Sequence, residues 1–173
     1  VLLAAGTGAR YSQLVRIRVG DLQIQNRRIM VPGASKGRAA TARAPVAVPL
    51  SEAVIERLRP AIDDRAADEP LLMRWAYRNV GPFKWEKDCR RPWGPAYEVD
   101  KPWAATVAKA EVPAETIMYA LRHSSIVRGL RAGLPIRLVA SLHDTSSEMI
   151  EKHYSAFIVD MTEDLARRAS FQI

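Results

Sequence analysis

A chain of 173 residues with 48% hydrophobic content can bury one sizeable core and is short for two, so a single domain over residues 1–173 is expected. Lys and Arg number 26 against 19 Asp and Glu, and the pI of 9.9 points to a polyanionic partner, nucleic acid first, although on charge alone a merely soluble basic protein fits equally well. The single cysteine, Cys89, excludes an internal disulfide, no Cys/His cluster has zinc-ligand spacing, and no run of about 18 apolar residues is present to span a membrane. A reducing cytoplasm is the expected compartment. The chain lacks an initiator Met and opens inside a helical pattern, which reads as a piece of a longer protein whose preceding domain is missing.

Residues 1–19 are apolar at mostly helical spacing, interrupted at Gly6-Thr7-Gly8, with Ser12 placed to cap a second short helix through Leu14 and Val15. Extended runs at Leu22–Ile24 and Ile29–Val31, joined by a turn at Gln25-Asn26-Arg27, predict a hairpin, and Val46–Leu50 supplies a third strand. The loop between the second and third strands carries Lys36, Arg38 and Arg43. Ser51 starts a helix with Val54, Ile55 and Leu58 on one face. The stretch from Arg74 to Trp103 is rich in Pro, Gly, Trp and cations. Its tryptophans fit anchors of an irregular loop on a core better than a nucleic-acid surface with interleaved aromatics.

Beyond residue 98 the pattern is helical almost to the end. One helix closes at Thr106–Ala110, and a long one is predicted over Glu115–Arg131. Gly133-Leu134-Pro135 then turns into a short helix through Leu142. Ser146 or Ser147 starts another that leads to Tyr154, and Met161–Ala169 is a last amphipathic helix. The fold class expected is α+β, mainly α: a helical bundle with a small three-stranded antiparallel sheet.

Metal-free cleavage of a phosphodiester needs a nucleophile, cations on the non-bridging oxygens and an acid for the leaving oxygen. The chain offers each kind. Arg10 stands at a helix start in GTGARYSQL, Arg122 on a helix in ALRHSSIVRGLRAG, Tyr154 after an amphipathic helix in SSEMIEKHYSAF, and Lys36 in the glycine-bounded Ser35-Lys36-Gly37. Each alone reads as an ordinary surface, loop or packing residue, and their joint order is what carries weight.

These pieces, in this order over nearly the whole chain, resemble the catalytic domain of tyrosine recombinases, the phage-integrase family. The T-G-A-R turn holds Arg10, the inter-strand lysine is Lys36, and the H-x-L-R-H box is matched by Tyr119-Ala120-Leu121-Arg122-His123. The closing G-H-x(8)-Y box corresponds to Asp144-Thr145 and Tyr154. Two positions depart from the pattern: Tyr119 replaces a histidine or lysine, and Thr145 replaces a histidine or tryptophan. His143, two residues before Thr145, is a candidate substitute. His123 and His153 read as structural or as residues supporting the site from behind.

The resemblance implies a Tyr154 attack on a scissile phosphate, giving a 3′-phosphotyrosyl link and a free 5′ hydroxyl. Arg10 and Arg122 would hold the phosphate, and Lys36 would protonate the leaving oxygen. Neither metal nor cofactor is called for. The implied partners are double-stranded DNA, at the nucleoid, and further copies of the chain as a homo-oligomer, a tetramer on paired sites. An unperturbed tyrosine with a pKa of about 10 is a poor base at neutral pH, so Tyr119 and Thr145 leave the general base open. They also leave an alternative, a catalytically impaired DNA-binding module of the same fold. A helix-turn-helix regulator built on Leu134–Tyr154 would leave the sheet, Lys36 and Arg10 without a role. A type IB topoisomerase shares the chemistry, but the box order is closer to an integrase.

Overall fold

The computed structural model describes residues 1–34 and 43–170, and their side chains except 159–165 and 168. The fold is α+β and mainly helical. Helix α1 (Leu2–Thr7) and the single turn α2 (Tyr11–Leu14) come first. The expected cap at Ser12 is displaced to Arg10, because Gln13 Oε1 reaches back to accept from the Arg10 backbone N–H at 3.0 Å. Strands β1 (Leu22–Gln23), β2 (Arg28–Val31) and β3 (Val46–Pro49) form the expected antiparallel sheet in the order β1-β2-β3. Ile24–Asn26 is a 3₁₀ turn closed by Arg27 at φ 46, so β1 ends one residue earlier than its apolar run.

Alternation sets the faces of the sheet. In β2, Ile29 and Val31 are buried while Arg28 and Met30 are partly exposed, and Ile29 lies opposite Leu22 on one side and Val48 on the other. Together with Leu3, Leu14 and Ile17, and with Ile55 from helix α3 (Glu52–Leu58), these side chains make a first hydrophobic cluster. A second cluster joins Ile126 and Leu130 of α5 (Ala120–Arg131), Val139 of α6 (Ile136–Leu142), and Ile150 and Tyr154 of α7 (Ser147–Ala169). Helix α1 packs on α5, which brings the two clusters side by side.

Two expectations are corrected. The segment read as an irregular loop is a regular hairpin of two nine-residue strands, β4 (Met73–Gly81) and β5 (Lys84–Pro92), forming a second sheet before helix α4 (Asp100–Lys109). Of its tryptophans, Trp93 and Trp103 are partly buried, whereas Trp75 and Trp85 are exposed. The long helix expected from Glu115 starts instead at Ala120. Its would-be first turns are spent otherwise: the Thr116 carbonyl accepts from the Trp103 indole N–H at 2.6 Å, and the Pro113 and Ile117 carbonyls close four-residue turns.

Candidate active site

Arg10 is placed by the turn before it. Gly8 ends α1 in the left-handed region, at φ 62, with its N–H on the Ala4 carbonyl. A side chain is disfavoured in that conformation, and a Cβ here would lie 2.6 Å from the His143 ring. The reversal leaves Arg10 extended at the start of α2. Its Nη1 donates to the Asp144 carbonyl at 3.3 Å and lies 3.7 Å from Asp144 Oδ2.

Arg122, only 3% exposed, sits on the first turn of α5 at the seam between the two clusters. Its Nη1 donates to the Gly8 carbonyl at 2.9 Å and its Nη2 to the His143 carbonyl at 2.5 Å. A guanidinium carries five N–H donors, so these two bonds fix its plane and leave donors for a ligand. Burial first, and the nearby Arg10 charge second, pull its pKa below the usual arginine range, while Tyr119 and Tyr154 act in the other direction. A guanidinium remains charged at neutral pH despite such a pull.

Helix α7 begins with Ser146, whose Oγ accepts from the Met149 N–H at 3.3 Å, the bond of an N-cap. The helix expected to lead to Tyr154 and the one expected beyond it meet within this span at a kink, where Tyr154 takes non-helical angles, φ −131 and ψ 16. The ring is buried in the second cluster. Its hydroxyl lies 2.6 Å from His123 Nδ1, with the two rings tilted at 5.7 Å between centroids. The Tyr119 ring also meets His123, edge-on at 5.0 Å between centroids. Burial first and Tyr119 second raise the Tyr154 pKa above that of a free phenol, with Arg122 opposing.

Arg10, Tyr119, Arg122, Thr145 and Tyr154 therefore line one cleft of about 270 Å³, together with His123 and His153. Two arginines, a phenol and an imidazole around one volume can hold a phosphate and exchange a proton beside it. Two further sequence candidates remain. Lys36 is outside the described residues. His143 is buried behind the cleft: its Nδ1 is 2.8 Å from the Val139 carbonyl and its Nε2 is 3.0 Å from Ser125 Oγ. Because a carbonyl only accepts, Nδ1 carries the proton, and burial, the first cause, lowers the ring's pKa and keeps it neutral.

The residue that sequence reasoning set aside is His123. Its signal was present in the Leu121-Arg122-His123 run, but adjacent helical residues point about 100° apart, and only the packing of α7 on α5 shows which of them reaches Tyr154. Among the described residues no group of three or more His, Cys, Asp or Glu is placed to hold a metal ion, and no helix is long and apolar enough to cross a membrane.

Comparison with solved structures finds the same fold. The Tn1549 transposon integrase in complex with a circular intermediate DNA superposes with a TM-score of 0.65 at 19% identity, covering 98% of this chain and 57% of that one. XerA recombinase gives 0.64 at 18% identity, with 98% and 57% covered. The Tn1549 integrase in complex with transposon right end DNA gives 0.65 at 19% identity, with 96% and 56% covered. The chain thus spans little more than half the length of these structures. Among proteins of curated function, none matches it by sequence. Residues 1–157 match the phage integrase family, and with that match over most of its length and this fold, the chain belongs to the phage integrase family.

Proposed function

We propose that this chain cleaves and rejoins double-stranded DNA as a site-specific recombinase, with Tyr154 as the nucleophile. The observation that carries the reading is the Tyr154 hydroxyl sharing one cleft with Arg10 and Arg122 while lying 2.6 Å from His123. DNA in complex with the Tn1549 integrase is in keeping with the partner.

In the reaction, Arg10 and Arg122 hold the two non-bridging oxygens of the scissile phosphate, and the Tyr154 oxygen attacks phosphorus in line. The phenolic proton passes to His123 Nδ1, the P–O5′ bond breaks, and Lys36 protonates the departing 5′ oxygen. The product is a 3′-phosphotyrosyl link and a 5′ hydroxyl, and religation runs the same steps backwards. The covalent link conserves the bond energy, so the chemistry as written draws on neither ATP nor a metal. His123 fills the role that Tyr119 and Thr145 leave open. Residues 1–173 act in this reading as one catalytic domain, assembled as a tetramer on paired sites.

The test uses nicked duplexes from which the short released fragment, the one bearing the new 5′ hydroxyl, diffuses away. An SDS-resistant adduct that Tyr154→Phe abolishes supports the reading. A gel shift without adduct supports instead the impaired DNA-binding module, which the non-imidazole residues Tyr119 and Thr145 in the cleft favour.

A further inference from the structure

We infer that the β4–β5 hairpin is a second DNA-contacting surface, an arm that grips the duplex beside the cleft. The inference rests on the reading of the cleft as a phosphate site.

The composition of the arm is lopsided. Between Met73 and Pro92 it carries Arg74, Arg78, Lys84, Lys87, Arg90 and Arg91 against Glu86 and Asp88. Every residue of β5 is exposed. Large apolar rings are exposed with them: Tyr77 at 56%, Trp85 at 61% and Phe83, at the tip, at 99%. Lys87 Nζ and the Arg90 guanidinium each lie 5.3 Å from the centre of the Trp75 ring. That arrangement holds two cations in place on a solvent-facing ring.

Phe83 has the least intramolecular justification. It is a bulky residue at φ 58, where Gly or Asn would cost less, and it packs on nothing. An isolated two-stranded ribbon is marginal in water, yet this one is braced at its base. Arg74 pairs with Glu98, its Nε donating at 3.0 Å, and Glu98 also accepts from the Gly94 N–H at 2.7 Å. The Tyr11 hydroxyl bridges to the Gly94 carbonyl at 3.2 Å and the Pro95 carbonyl at 3.3 Å. Tyr11 follows Arg10, so the root of the arm is fixed to the rim of the cleft.

An exposed aromatic patch of this size marks a binding surface, and the excess of cations selects a polyanion over a protein face. The continuity with Arg10 selects the duplex already in the cleft. A two-stranded ribbon has the width to enter a major groove, and cations set on rings suit the phosphates along its edges.

The test measures binding of the full chain to a 40-base-pair duplex by fluorescence anisotropy across a salt series. Lys87→Ala/Arg90→Ala is expected to lower the slope of log K against log salt by about 2 and to weaken binding roughly tenfold or more near 0.1 M salt. Lys87→Arg/Arg90→Lys should restore both. Phe83→Gly, which relieves the backbone, should weaken binding while leaving the melting temperature unchanged or raised. Wild-type binding with an unaltered slope in Lys87→Ala/Arg90→Ala overturns the inference and leaves the cleft reading standing. Intact DNA binding combined with loss of self-association in sedimentation would make the arm a subunit interface and overturn it as well. A wild-type chain that binds no duplex sinks both readings.

Discussion

Asp144 holds Arg10 from two sides at once: its carbonyl accepts from Arg10 Nη1 at 3.3 Å and its carboxylate lies 3.7 Å from the same nitrogen. The carboxylate also accepts from the Ala34 N–H at 2.6 Å, from Gln13 Nε2 at 3.2 Å and from Arg43 Nη1 at 3.1 Å. Ala34 and Arg43 flank the segment containing Lys36, so a single side chain ties the stems of that segment to Arg10.

This connection comes at a backbone cost. Asp144 stands at φ 47, the position where the integrase box carries Gly, a residue with no penalty there. Asp144→Gly is therefore expected to keep or raise the melting temperature while slowing Tyr154–DNA adduct formation by about 10-fold to 100-fold, since charge-assisted hydrogen bonds are worth about 1.5–3 kcal/mol. Asp144→Asn, which tolerates the left-handed region and keeps one acceptor oxygen, should fall between. Adduct formed by the Gly variant at the wild-type rate would remove Asp144 from any positioning role.

Gly8 makes the opposite case, a glycine that geometry requires. A Cβ at this residue meets the His143 ring at 2.6 Å and Ser125 Cβ at 2.8 Å, at φ 62. Gly8→Ala combines a left-handed penalty with overpacking and is expected to cost about 2–5 kcal/mol in urea unfolding. The Gly8 carbonyl is an acceptor for Arg122, so adduct formation should drop more than stability alone explains. An unshifted urea midpoint would mean the two elements can move apart freely.

His143 predicts a pH effect on stability. Its folded pKa is lowered from 6.5, by burial first and by the facing charges of Arg122, Arg128 and Arg10 thereafter, against the Val139 hydrogen bond. Between the folded and unfolded values the unfolded chain binds the extra proton. Stability from this group is thus present above about pH 6.5, falls as pH drops below it, and levels off once the folded ring also protonates. Comparing urea midpoints at pH 7.5 and 5.5, wild type should lose up to about 1 kcal/mol more than His143→Gln, whose amide can both donate and accept. Equal losses in the two proteins would show that the ring does not resist protonation.

The legible parts of the molecule are those in which one-dimensional spacing maps onto burial. Strand β2 shows it, since Ile29 and Val31 alternate with less buried neighbours. Arg10, Arg122 and Tyr154, picked out by their order along the chain, line one cleft. The β4–β5 hairpin was not legible because its burial does not alternate: only Ala76 is buried in β4 and no residue is in β5. Tryptophans there read as core anchors because that is their commoner use, and Trp103 does fill it. The role of His143 turned on tertiary structure, since the ring that follows α6 points at Ser125 and away from the cleft.

The pairing of His123 with Tyr154 yields the sharpest kinetic expectation. Tyr154 is buried and its pKa is raised, first by desolvation and then by Tyr119, so phenolate is scarce near neutrality and attack needs a proton acceptor at the hydroxyl. His123 Nδ1, at 2.6 Å, is within direct transfer distance. Removing it as His123→Ala should slow adduct formation by about 10²–10⁴-fold at pH 7. Phenolate formed by solvent is then the remaining route, so the variant's rate should climb about tenfold per pH unit through neutrality, because each unit multiplies the phenolate fraction by that factor. His123→Gln separates positioning from proton transfer: its amide can hold the hydroxyl but cannot take the proton, so it should share the alanine variant's steep profile. A glutamine variant with wild-type rate and pH profile would reduce His123 to a positioning residue and return the proton to another group in the cleft.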